Sequence, residues 1–226
     1  MSVIRGLAGR YVGRAALLVI IVTSVARARA DAPAARPSGT PPGTVRLRGG
    51  GGHALGSSRA RVVMVEFSDY ECPYCRRYFE QVYPRLKADY VDTGKVRYVV
   101  RDLPLDIHSR AFAAAEAARC AGAAGKFWAL RQALFTEKGA LDRARLRLLA
   151  RGAGVPAEEF QACLDQHRFA SAIRRDIADA AAAGITATPS FVIGRAGPDG
   201  VIGLPVVGAK SYAAFAQRIE QLLAAP

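Results

Sequence analysis

The sequence predicts an α/β fold interrupted by a run of helices, on three observations. The apolar run Val62-Val63-Met64-Val65-Glu66-Phe67 reads as a central strand buried on both faces. A helix-like segment follows it, then an alternating stretch from Lys95 to Arg101, and strand, helix, strand in that order is a crossover unit. From about His108 to Gly184 the pattern is helical throughout, and only at Ser190 does a β pattern return.

Each element has its own signal. Asp31 to about Ser58 is rich in Pro, Gly and Ala and almost lacks apolar periodicity, so it reads as a flexible linker that buries too little surface to offset its ordering entropy. The first core strand ends at the turn-like Ser68-Asp69. A helix is expected from about Cys72 to Val91, with Tyr78, Val82 and Leu86 on one stripe, kinked by Pro84 and ended by Asp92-Thr93-Gly94. Val96, Tyr98 and Val100 alternate in the next strand. The helical stretch divides into an Ala-rich run to Cys120, then Lys126–Phe135, Leu141–Ala150, Ala157–Gln166 and Phe169–Ala183, punctuated by Gly122, Gly125, Gly139, Gly152, Gly154 and Pro156. Strands are expected again at Ser190–Ile193 and Val201–Val207 around the turn Gly197-Pro198-Asp199-Gly200, before an amphipathic helix from about Ser211 to Leu223. Arg59 to Pro226 is then the size of one domain, with a helical insert at about residues 106–184.

Residues 1–30 read as an export signal. Arg5, Arg10 and Arg14 precede an apolar run from Ala15 to Val25, and Ala28-Arg29-Ala30 supplies small residues for cleavage ahead of Asp31. An apolar core of about eleven residues is short of the roughly twenty that a membrane-spanning helix needs. The full chain carries a net charge of +13; taking the five arginines of residues 1–30 from 32 basic residues leaves 27 against 19 acidic ones, a net +8. The remaining arginines scatter over helical segments (Arg143, Arg145, Arg147, Arg151, Arg174, Arg175) with no nucleic-acid-binding motif, so no nucleic-acid partner is expected. Phosphate-loop, haem-attachment and dinucleotide fingerprints are absent from the sequence.

Cys72-Pro73-Tyr74-Cys75 carries the chemistry. It follows a strand and opens a helix, where unpaired backbone N–H groups and the positive end of the helix dipole favour the thiolate of the first cysteine. Outside the cytoplasm such a pair meets an oxidising environment. With Cys72 and Cys75 as the local pair, Cys120 and Cys163 are left for each other; two buried thiols or a second redox pair are the alternatives. A four-cysteine zinc site is disfavoured, because Cys120 and Cys163 are far apart in sequence, and no metal is assigned. Glu66 is a carboxylate inside an apolar strand, costly to bury ionised; at a strand end it would reach solvent or pair with an arginine.

Three motifs in order, Cys72-Pro73-Tyr74-Cys75, Gly125-Lys126-Phe127-Trp128 and Gly184-Ile185-Thr186-Ala187-Thr188-Pro189-Ser190-Phe191, make the chain from Arg59 to Pro226 resemble the exported DsbA-like branch of the thioredoxin fold. That resemblance implies a thioredoxin fold with an inserted helical domain, with Cys72 as exposed nucleophile and Cys75 as resolving thiol. It implies a cis-proline loop at Thr188-Pro189 that offers backbone groups to an extended substrate peptide. Glu66 would exchange protons with Cys75, and Cys120 and Cys163 would form a second, structural disulfide in the insert. A histidine near His108 occurs in similar proteins and would face the site; read alone, His108 is a loop or helix-cap residue, while His53 falls in the linker and His167 at a helix junction. Phe127 and Trp128 read as core of the insert.

The expected activity is exported thiol:disulfide exchange through Cys72 and Cys75, with no cofactor beyond the protein's own disulfide. Cysteine-containing secreted or periplasmic proteins are the expected substrates. Resemblance alone implies a membrane redox partner of the DsbB or vitamin K epoxide reductase type. Pro73-Tyr74 lacks the histidine of the strongest oxidases but resembles neither the Gly-Pro pair of thioredoxin nor the common isomerase pairs, so an oxidase is the first expectation and a reductase or isomerase the second. A chaperone-like or assembly-factor binder with a static disulfide is the rival from another class.

Overall fold

The computed structural model describes residues 43–225. The export signal expected at residues 1–30 and the linker up to residue 42 lie outside the described residues. From residue 45 the linker expectation is corrected, because β1 (Val45–Arg48) and β2 (His53–Leu55) are strands of the main sheet. The glycine run between them serves close approach, not looseness. Gly50, Gly51 and Gly52 all have positive φ, and a Cβ on Gly52 would lie 2.3 Å from the carbonyl oxygen of Val100.

All seven residues of β3 (Val62–Ser68) are buried. Side chains alternate along a strand, so Val62, Met64 and Glu66 point to one face and Val63, Val65 and Phe67 to the other. The expected long helix is broken: α1 (Pro73–Gln81) ends at Val82, α2 (Tyr83–Leu86) restarts with Pro84 in its first turn, and a wider turn over Lys87–Val91 closes with Asp92 N–H donating to Lys87 O at 2.9 Å. Pro84 has no N–H to continue the ladder, which is why the break falls there.

β4 (Val96–Asp102) pairs parallel to β3, with Glu66 opposite Val100. Then come the five helices of the insert: α3 (Ala111–Ala123), α4 (Phe127–Thr136), α5 (Arg143–Gly152), α6 (Ala157–Asp165) and α7 (Ala170–Ala182). Asp142 caps α5 by accepting from Arg145 N–H at 2.8 Å. A disulfide joins Cys120 on α3 to Cys163 on α6. The hairpin β5 (Ser190–Gly197) and β6 (Gly200–Val207) follows, then α8 (Tyr212–Ala224), which Ser211 caps.

The sheet order is β1-β6-β5-β3-β4-β2, with β3 central and antiparallel to β5. The thioredoxin fold with a helical insert between β4 and β5 is therefore present. The larger core gathers Met64, Tyr78, Tyr98, Phe191 and Phe215 with α3, α4 and α8 residues; the smaller one gathers Val63, Val65, Phe67 and Leu47 against Ala180 of α7. A buried ion network fastens the insert to the sheet: Arg101 binds Asp176 and Asp179, and Arg119 binds Asp102 and Asp176. Arg48 of β1 joins it through Asp179. Each buried charge meets an opposite one, as burial demands.

Candidate active site

Cys72 is the N-cap of α1 and Pro73 its first residue, so the thiol stands where backbone N–H groups lack helical partners. Its Sγ lies 3.4 Å from the Thr188 carbonyl oxygen, a contact only the protonated thiol donates. The Cys75 thiol, first, then the Thr188 side chain and the backbone N–H groups of Cys75 and Tyr74 favour the Cys72 thiolate and outweigh burial, bringing its pKa from 9.0 to about 5. Cys72 is itself buried, 4% exposed, which corrects the expectation of an exposed nucleophile; Cys75 is the opposite case in acidity. One turn into the helix it has no exposed surface, and burial, the neighbouring Cys72 sulfur and the charge of Glu66 push its thiol well above 9.0. One sulfur is built to ionise and the other to stay protonated.

Beneath the pair lies Glu66, itself without exposed surface. Strand parity puts it on the face covered by α1 and α4. Its Oε2 accepts from Arg131 Nη2 at 2.7 Å and from the Tyr98 hydroxyl, which lies 3.3 Å from the Tyr78 hydroxyl. Its Oε1 has no hydrogen-bond partner among the described residues. Arg131 is completely buried, with its guanidinium 4.9 Å from the ring centre of Phe135 and 5.3 Å from that of Phe79. Burial and the Glu66 charge raise the pKa values of Tyr78 and Tyr98, so both stay neutral donors.

Thr188-Pro189 is a cis peptide bond that opens β5 next to Cys72. Pro189 O accepts from Gly208 N–H at 2.8 Å, which ties the loop to the end of β6. On the other side, Asp69 organises the approach to Cys72: its Oδ1 accepts from Glu71 N–H at 2.8 Å, and its Oδ2 accepts from Leu105 N–H at 2.9 Å and lies 2.8 Å from His108 Nδ1.

The structure thus brings Cys72, Pro73, Tyr74, Cys75, Glu66, Thr188 and Pro189 together at the ends of β3 and β5, with His108 beside them. Cys120 and Cys163 form their disulfide within the insert, apart from this group. His53 stacks on Phe127 with ring centres 3.7 Å apart, and His167 pairs with Glu116; neither belongs to the site. Arg131, Tyr98 and Asp69 are site residues that the sequence reading does not single out. For Arg131 a signal exists: it stands four residues after Phe127 and three and four before Leu134 and Phe135, so helical spacing sets this charge on the apolar stripe.

A family model described as thioredoxin matches residues 49–200. The Na(+)/H(+) antiporter NhaA 1 of Salinispora arenicola is 34% identical over 165 residues, which are 73% of this chain and 25% of that protein. The chain therefore spans about a quarter of the length of the first curated relatives it matches. A Rickettsia prowazekii protein named as a protein-disulfide oxidoreductase is 30% identical over 145 residues, covering 62% of this chain and 53% of that one. The crystal structure of alpha-DsbA1 from Wolbachia pipientis is similar with a TM-score of 0.68 and 26% identity, over 78% of this chain and 92% of that chain.

Proposed function

The chain belongs to the thioredoxin family, in its DsbA-like branch of protein-disulfide oxidoreductases, and from that premise we propose that it is an exported oxidase donating its Cys72–Cys75 disulfide to cysteine pairs of secreted proteins. The observation that carries this reading is the split between the two thiols, one with a pKa of about 5 and the other well above 9.0. A reduced form stabilised as the Cys72 thiolate gives up its disulfide readily, which is the property of an oxidant.

The electrons balance within the exchange. A substrate thiolate attacks the Cys72 sulfur of the disulfide, forming a mixed disulfide and releasing Cys75, whose high pKa means it takes up a proton. Glu66 relays that proton, through the oxygen not engaged by Arg131 and Tyr98. A second substrate thiolate then attacks its partner sulfur and Cys72 departs as a thiolate. Two electrons have passed from the substrate pair to Cys72 and Cys75. A membrane protein of the DsbB or vitamin K epoxide reductase type takes them up again.

Exposed apolar side chains on the three segments that carry the site offer a peptide substrate apolar contact: Tyr74 (59% exposed) between the cysteines, Ile107 (82%) next to His108 in sequence, and Val207 (54%), paired across the hairpin with Ser190 beside Pro189.

The test uses the oxidised protein on a reduced multi-cysteine substrate. Net disulfide formation is expected with the native chain and none with Cys72→Ala, while reduced Cys75→Ala, given a substrate whose cysteines are already disulfide-bonded, should accumulate the mixed disulfide formed when Cys72 attacks that bond. Rearrangement of a scrambled substrate without net oxidation would point to an isomerase, and suppression of aggregation by Cys72→Ala to a binding protein. For Glu66→Gln, formation of the mixed disulfide, the step in which Cys75 gains its proton, should slow; unchanged kinetics would remove the relay.

A further inference from the structure

β3 and β4 are parallel neighbours, so the turns that leave them emerge at the same end of the sheet. The first turn delivers Cys72 and the second delivers His108. They are laced together: Leu103 N–H donates to Ser68 O at 2.9 Å, Leu105 N–H to Asp69 Oδ2 at 2.9 Å, and Arg110 N–H to Glu71 Oε2 at 2.6 Å. At the centre is Asp69. Its carbonyl accepts from Cys72 N–H at 3.3 Å while its carboxylate, without exposed surface, holds His108 Nδ1 at 2.8 Å. One residue thereby fixes the nucleophile by its backbone and the imidazole by its side chain.

We propose that Asp69 and His108 form a charge pair for the nucleophile, in which His108, while it is an imidazolium, stabilises the Cys72 thiolate. Asp69 is the positioning residue. This rests on the reading of Cys72 as the reacting sulfur. With Nδ1 committed to Asp69, the second ring nitrogen is the one that gains or loses the proton. The groups facing the ring are Asp69 and Glu71 from the first turn and Cys72 at the head of α1; Asp106 and Arg110 of its own turn are exposed. Burial opposes the ring's charge, but the hydrogen bond and charge of Asp69, with the charges of Cys72 and Glu71, outweigh it and raise the pKa above 6.5. Thiolate and imidazolium therefore coexist from about pH 5 to beyond 6.5.

The consequence for the exchange is specific. In the last step Cys72 is the leaving sulfur, and a cation beside it favours both its departure and the reduced form. Deprotonating His108 withdraws that help, so oxidising strength falls as pH rises through the imidazole pKa.

Iodoacetamide alkylation of the fully reduced protein, followed from pH 3 to 9, reads this out, together with the equilibrium against glutathione. The native protein should show an acid limb near the Cys72 pKa and a second inflection above 6.5. His108→Gln should raise the acid limb by about one unit, leaving about tenfold less thiolate at pH 4, abolish the second inflection, and shift the glutathione equilibrium about tenfold toward the protein disulfide. His108→Lys, which keeps a fixed positive charge, should retain the acid limb but not the second inflection. Unchanged acid limb and glutathione equilibrium in His108→Gln would overturn the proposal. Absence of the acid limb in the native protein would instead count against Cys72 as the nucleophile.

Discussion

The Cys72 sulfur ties reactivity to stability. Its unfolded thiol titrates near 9.0 and its folded one near 5. A depressed pKa stabilises the folded state fully above 9.0 and in part between the two values, and the contribution is gone below about 5. The oxidised protein has no such thiolate. The reduced form is therefore expected to gain stability over the oxidised form between pH 4 and 7, by about 2 to 3 kcal/mol for this buried sulfur. Urea denaturation of both forms at the two pH values measures it, and a gap that does not change with pH would contradict the low thiol pKa. Much of this is legible in the sequence, because Cys-Pro-Tyr-Cys after an apolar strand places one thiol at a helix start and the other a turn inside. The Asp69 contribution is not legible, since its partners Leu105 and His108 arrive from a different turn.

At the scale of elements, Glu66 and Arg131 pin β3 to α4 and so join the sheet to the insert beneath the redox pair. Removing one partner of a buried ion pair strands the other charge, whereas replacing both is far less costly. Arg131→Met is expected to lose about 3 to 5 kcal/mol, and Arg131→Met with Glu66→Gln distinctly less, as read by a double-mutant cycle in denaturant. Equal losses would mean that Arg131 acts by packing against Phe79 and Phe135 alone. Strand alternation shows which face Glu66 takes, but not which helix meets it. The paired arginine stands 65 residues away in sequence, in a segment whose other residues read as core. The break at Pro84 is the contrary case, where local covalent chemistry decides the outcome and the sequence suffices.

For the molecule as a whole, the insert is held twice, by the Cys120–Cys163 bond between α3 and α6 and by the buried ions joining α3 and α7 to β4. Closing a loop of 43 residues is worth about 4 kcal/mol in the chain-entropy view. Cys120→Ala with Cys163→Ala should lose about that much stability while Cys72 still exchanges disulfides at its native rate; a slowed exchange would mean the second bond takes part in electron transfer. The order of helices and strands follows from periodicity and punctuation. The ion network does not, because its arginines resemble any others until the fold sets them opposite Asp102, Asp176 and Asp179. Nor does the role of Val45–Leu55, whose glycine-rich composition suggests a tether, while its backbone geometry lays it across the protein. The outermost strands on both sides of the sheet, β1 beside β6 and β2 beside β4, come from this one short stretch. Free strand rims recruit other chains. With β1 and β2 outermost, the sheet offers other chains an edge of only four residues on one side and three on the other, and peeling away this single segment would bare the longer β6 and β4 at once.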